Sequence, residues 1–191
     1  MNANRILRRA GIAMLCALAL GAAAGVSAAG KNAPFAARAG VEPAQAAARV
    51  WANDASLVYL ENDEDLSDTG GAPRWGYLFY SPGLQAARSY SVRDGRIVVA
   101  ENLDMKFEAP PLVSGWIDSD AALAVADAHG GREFRRQAGA RVGTMLLSRG
   151  AFQPGAPDLT TWTIVYTAPG APSLFVVVDA AKSSVCRTWR G

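Results

Sequence analysis

The sequence predicts an α+β chain of two tandem units, each one helix packed on an antiparallel sheet of about four strands. Three observations predict it. Trp75-Gly-Tyr-Leu-Phe-Tyr-Ser-Pro-Gly83 and Trp162-Thr-Ile-Val-Tyr-Thr-Ala-Pro-Gly170 align without a gap, with Trp, Pro and Gly coinciding. Apolar residues alternate through both segments, which is the period of a half-buried strand. An Ala-rich run with helix-start chemistry precedes each strand set.

The chain opens with a targeting segment. Arg5, Arg8 and Arg9 are followed by an apolar run from Ala10 to Leu20 and then by small residues up to Ala29. A basic flank, a short apolar helix and a small-residue exit form a secretory signal peptide, here residues 1–29 with cleavage after Ala28 or Ala29. The apolar run is about half of the roughly 20 residues needed to span a bilayer, so no membrane span is expected after its removal. Cys16 lies inside that run rather than after it, which argues against lipidation. The 191 residues carry a formal charge of +2, but three arginines leave with the signal. Nothing in the remaining balance points to nucleic acid or to an anionic lipid surface. With 50% apolar and 19% charged residues, the chain can bury a core and is not disordered.

Residues 30–40 read as a disordered linker, and 41–109 as the first unit. Glu42-Pro43 opens a helix over Ala44 to Ala52, with proline in an early position where no N–H is needed. Ala55-Ser-Leu-Val-Tyr-Leu60 begins the strands. Trp75, Tyr77 and Phe79 then share one face, so they, with Tyr90 and Trp162, are assigned to the core between sheet and helix. Tyr80 falls on the opposite face and is expected to be exposed. Arg93-Asp94-Gly95-Arg96 reads as a tight hairpin connection to Ile97-Val-Val-Ala100. Residues 110–115, with Pro110-Pro111, form a linker. In the second unit, 116–191, Asp118-Ser119-Asp120 caps a helix over Ala121 to His129, and Gly130-Gly131 stops it. Strands follow through Trp162, Phe175-Val-Val-Val-Asp179 and Val185-Cys-Arg-Thr-Trp189.

These segments carry a family resemblance. Trp116-Ile-Asp-Ser-Asp-Ala-Ala-Leu123, Trp162-Thr-Ile-Val-Tyr166 and Leu174-Phe-Val-Val-Val-Asp-Ala180 resemble the PepSY domain and its PepSY-like relatives over roughly residues 41–191. The Thr-Gly turn that often closes that pattern is replaced here by Ala181-Lys-Ser-Ser184. The resemblance implies a PepSY/cystatin-like fold and an inhibitory, binding or regulatory module outside the cytoplasm. It carries over no catalytic residue.

The chemistry legible in the chain is sparse, and no catalytic residue or cofactor is expected. His129 is the single histidine, which removes multi-His metal sites and suits a helix C-terminus. Cys186 is the one cysteine left in the exported portion and reads as a small buried apolar residue. In the acidic stretch Glu61–Asp68, the carboxylates Asp63, Asp65 and Asp68 near Gly70-Gly71 are candidates for Ca²⁺. Their spacing departs from an EF-hand loop, and Arg74 stands where the bidentate Glu would be, so a solvated loop joining two strands is the plainer reading. Arg132, Arg135, Arg136, Arg141 and Arg149 follow the second helix, making one half basic where the other is acidic. That asymmetry could steer the halves together or recruit a partner, with Tyr80, Arg132, Arg135 and Arg136 as the partner surface.

The function expected from these residues is an exported, non-enzymatic module that binds a protein or peptide in the periplasm or outside the cell. The alternative is an envelope hydrolase or lyase working through carboxylates such as Asp54, Asp118 and Asp120.

Overall fold

A computed structural model describes residues 32–103, 109–151 and 156–191. The expected signal peptide and its expected cleavage positions Ala28 and Ala29 lie outside the described residues.

The predicted alternation builds strands β1 (Ser56–Asn62), β2 (Trp75–Ser81), β3 (Ala86–Arg93) and β4 (Arg96–Leu103) in the first half. The second half supplies β5 (Arg141–Gly150), β6 (Leu159–Ala168), β7 (Ala171–Asp179) and β8 (Ser184–Arg190). Asp94 and Gly95 both take positive φ, the geometry of the two-residue turn that joins β3 to β4 without splaying them. Helix α1 (Val41–Trp51) precedes the first set, and α2 (Ser119–Ala126) and α3 (Arg132–Ala138) precede the second.

The expectation of two units, each with its own four-stranded sheet, is overturned. All eight strands form one antiparallel sheet in the order β4-β3-β2-β1-β5-β6-β7-β8. The first strand of each half would otherwise leave a row of unpaired N–H and C=O groups, and pairing β1 with β5 removes both edges. The β1–β5 ladder is short, pairing Tyr59 to Glu61 with Ser148 to Leu146. Asn62 extends it with its side chain: Oδ1 accepts from Met145 N at 2.7 Å, and Nδ2 donates to the Gly143 carbonyl at 3.3 Å.

One face of the sheet carries the helices and a single core. Trp75, Tyr77, Phe79, Tyr90 and Trp162 are all buried in it, as their alternation requires. Trp162 stands edge-on to Trp75 at 6.2 Å and to Trp116 at 6.0 Å, so the indoles of both halves meet. Each strand indole is also anchored: Trp75 Nε1 donates to the Phe35 carbonyl and Trp162 Nε1 to the Ile117 carbonyl, both at 2.8 Å. Ala44 and Ala48 of α1 and Ala122 and Ala126 of α2 are buried, and such small side chains let the helices approach the sheet closely.

Two further expectations are corrected. Within the stretch 30–40, read as a disordered linker, residues Ala37–Gly40 form a 3₁₀ turn wedged between the halves. Ala37 N donates to Ser119 Oγ at 3.1 Å, Arg38 N donates to Asp118 Oδ1 at 3.0 Å, and the Ala37 carbonyl accepts from the Tyr77 hydroxyl at 2.6 Å. Gly130-Gly131 also fails to end the second helix. His129 and Gly130 leave helical geometry, Gly130 at φ +106°, and the chain kinks and continues as α3. Gly131 is needed at that kink because a Cβ there would overlap the Tyr166 hydroxyl. α3 stops at Gly139, whose φ of +60° is the left-handed cap.

Two measurements check this architecture. Asn62→Ala leaves Met145 N and the Gly143 carbonyl without their side-chain partner, and should cost ~1–3 kcal/mol in urea unfolding with no change in the slope with denaturant. Tyr77 and Tyr166 are held protonated, chiefly by burial, so each pKa lies above the ordinary 10.0. The unfolded chain releases those protons near 10 while the folded chain keeps them. Stability is therefore complete below that pH and declines above it, by ~1.4 kcal/mol per pH unit for each such tyrosine. Tyr166→Phe should remove one such increment from the alkaline slope.

Candidate functional site

The sheet face away from the helices is where a partner could reach the chain. Residues in cross-strand register share a face, so the pairings lay out transverse rows. One row runs Ser89, Leu78, Tyr59, Ser148, Thr161, Asp179, and the next runs Ser91, Gly76, Glu61, Leu146, Thr163, Val177, Arg187. Hydroxyl, carboxylate and apolar side chains mix along them, where the helix side is mainly apolar. Near the β8 edge Phe175 stacks on Trp189 at 4.9 Å, with the Arg187 guanidinium 5.1 Å over the Trp189 ring.

Over the first half this open face holds a groove of about 350 Å³. Gly76, Ser89 and Ser91 make it, because small residues there leave room between Leu78 and Leu103 on one side and Glu61 and Asp63 on the other. The Tyr59 hydroxyl donates to Glu61 Oε2 at 2.6 Å. Burial, and then the neighbouring Glu61, raise the Tyr59 pKa, so the phenol stays protonated and a donor. Asp63 is differently placed. It accepts from Ser91 Oγ, faces Arg74 Nε at 3.3 Å, and lies so close over Gly76 that a Cβ there would collide with Oδ1. Among the described residues no lysine or arginine pairs with Glu61.

The sequence candidates are dispersed. Asp63, Asp65 and Asp68 face Arg74, Arg141 and Arg135 respectively, at 3.3, 3.5 and 3.4 Å. Three carboxylates neutralised by three separate arginines do not converge on a cation, and no group of three His, Cys, Asp or Glu suited to a metal occurs among the described residues. Two of those arginines belong to the second half, so the charge asymmetry between the halves brings acidic loop and basic segment together. The exposed Arg141–Asp65 pair adds ~0–1 kcal/mol at most. Arg135 is more deeply engaged, because its guanidinium also meets the buried Asp127, which accepts from the Tyr166 hydroxyl at 2.8 Å. It is thus a structural link rather than a free docking residue. Arg136 is exposed and paired with Glu133 on its own helix at 2.7 Å, which raises its pKa; Arg132 is exposed on α3.

Tyr80 lies on the open face as its alternation requires, yet it is only 8% exposed, because Ala109 packs against its cluster with Val58 and Ala87. The expectation of an exposed ring is corrected by that packing. Cys186 is corrected the other way: it is exposed on the edge strand β8. His129 Nδ1 sits 2.8 Å from the Val125 carbonyl in the last turn of α2. The carboxylates weighed for catalysis do not share a partner. Asp54 accepts from Ser81 Oγ and Gly83 N, both at 2.6 Å, which hold its pKa below the ordinary value. Asp118 caps α2, and Asp120 accepts from Ala121 N.

Tyr59, Glu61, Ser89 and Ser91 are the site residues that sequence reasoning passes over. Their signal is present but faint: each occupies the polar phase of a strand whose other phase is core. Calcium should therefore leave this protein unmoved, with a melting temperature constant to within ~1 °C in millimolar Ca²⁺ or in chelator.

No helix among the described residues is long and apolar enough to cross a membrane. No family model matches the chain, and no curated protein is similar to it. A solved structure of a candidate lipoprotein from Clostridium difficile 630 is similar at 13% identity and a TM-score of 0.49, over 75% of this chain and 87% of that one, a likeness too distant to carry a functional argument.

Proposed function

We propose that the chain is an exported, non-enzymatic module of the cell envelope that binds a protein or peptide on the helix-free face of its sheet. One observation carries this reading. The described helices and the larger core occupy one side of the sheet, while the other side, beyond the small buried cluster of Val58, Tyr80 and Ala87, presents rows of hydroxyl, carboxylate and apolar groups with a groove among them. Mixed surfaces of this kind suit recognition, in which apolar contact gives affinity and hydrogen bonds give register.

The test compares the two sides of the molecule. A photocrosslinking residue in place of Thr163, on the open face, should give a discrete adduct in cells that express the protein. The same residue in place of Val50, 89% exposed on α1, should give none. Equal adducts from both positions, or none from Thr163, would overturn the proposal.

A further inference from the structure

We infer that the groove between β1 and β4 receives a basic side chain, lysine or arginine, from an extended peptide. The inference rests on the open-face reading above and names what that face selects.

The argument begins with which charges are already answered. Among the acidic side chains of this region, Asp63 faces Arg74, Glu64 meets Arg74 and Arg93, Asp65 faces Arg141 and Asp68 faces Arg135. Glu61 is different. Its Oε2 accepts from the Tyr59 hydroxyl, and no cation among the described residues meets it, although it lines the groove and is only half-buried. A neutral donor fixes the carboxylate's direction without cancelling its charge. The Arg74 guanidinium meanwhile neutralises Asp63 at the groove's far end, so among the described residues the unanswered charge of the groove is localised at Glu61.

Shape agrees with charge. A volume of about 350 Å³ is room for one long side chain and ordered water. Leu78 and Leu103 offer apolar surface to the methylene stem, which a lysine or arginine buries while its head stays polar. The Ser89 hydroxyl can accept from that head beside Glu61, and a charge-assisted hydrogen bond to a carboxylate is about twice as strong as a neutral one. An acidic side chain in the same place would face the Glu61 carboxylate, so the groove disfavours it. An extended peptide directs alternate side chains to one face, so it can offer such residues at successive points along the sheet.

The probes are a blocked pentapeptide, Leu-Lys-Leu-Lys-Leu, and the same peptide with both lysines Nε-acetylated. Each is titrated into the full mature chain and followed by backbone amide shifts. The charged peptide should bind at least tenfold more tightly, moving amides of residues 59–61, 76–78 and 89–91. Glu61→Gln, isosteric and with its melting temperature unchanged, should abolish the preference. Ser89→Lys, which supplies a tethered ammonium to the groove, should block the charged peptide while leaving Glu61 in place. Equal affinity for both peptides with shifts on the same amides would overturn the basic-side-chain inference and leave the open-face reading intact. Shifts confined to the helix side, or no binding by either peptide, would overturn both.

Discussion

The structure depends on the seam at which the two halves of the chain become one sheet. Only three residues of β1 pair with three of β5, too short a ladder to hold large halves together by backbone hydrogen bonds alone. Indole packing supplies the rest. Trp162 sits edge-on to Trp75 from the first half and to Trp116 from the segment before α2, and each strand indole fixes its own N–H on a carbonyl outside the sheet. Large aromatic surfaces buried across the join make the halves fold as one core rather than two. The turn at Ala37–Gly40 closes the same join from above, with Arg38 both donating to the Trp116 carbonyl and lying 4.0 Å over its ring. Cation, indole and helix cap are thus engaged in one place.

That constraint sets what remains available for function. Because α1, α2 and α3 all pack on the side where the tryptophans meet, no helix among the described residues covers the opposite side of the eight strands. The charged loops do not extend the available surface, since Asp65 and Asp68 reach across to Arg141 and Arg135 of the other half. Charges that look like two surfaces in the linear chain meet across the join at the surface of the molecule. The groove on the open face lies outside this pairing, and among the described residues its Glu61 meets a tyrosine hydroxyl and no cation.

Much of the local structure was legible in the residues. Alternation identified the buried aromatics of β2 and β6, Asp94-Gly95 identified its turn, and Asp118 identified the start of α2, because strand period, positive φ and helix capping are properties of neighbouring residues. The kink after α2 was not legible. Gly130-Gly131 is ordinary stop chemistry, and its role as a bend depends on Tyr166, which arrives from a strand far along the chain and excludes a side chain at Gly131. Tyr80 and Cys186 show the same limit. Alternation says which face a side chain takes, but whether another segment covers that face is decided elsewhere: Ala109 packs over the cluster of one, while the other is exposed on an edge strand.

The sequence by itself determined the strands, the helix starts, the core aromatics and an amino-terminal stretch that reads as an export signal, since each follows from periodicity or composition within a few residues. Only the tertiary structure decided that the two sheets are one, that the acidic and basic stretches answer each other, and that Tyr59 and Glu61 line a groove. Those outcomes turn on which edges and charges meet after the chain has folded back on itself. A pairing of β1 with β5 leaves no mark in either strand, because a backbone edge offers the same hydrogen bonds whatever side chains it bears.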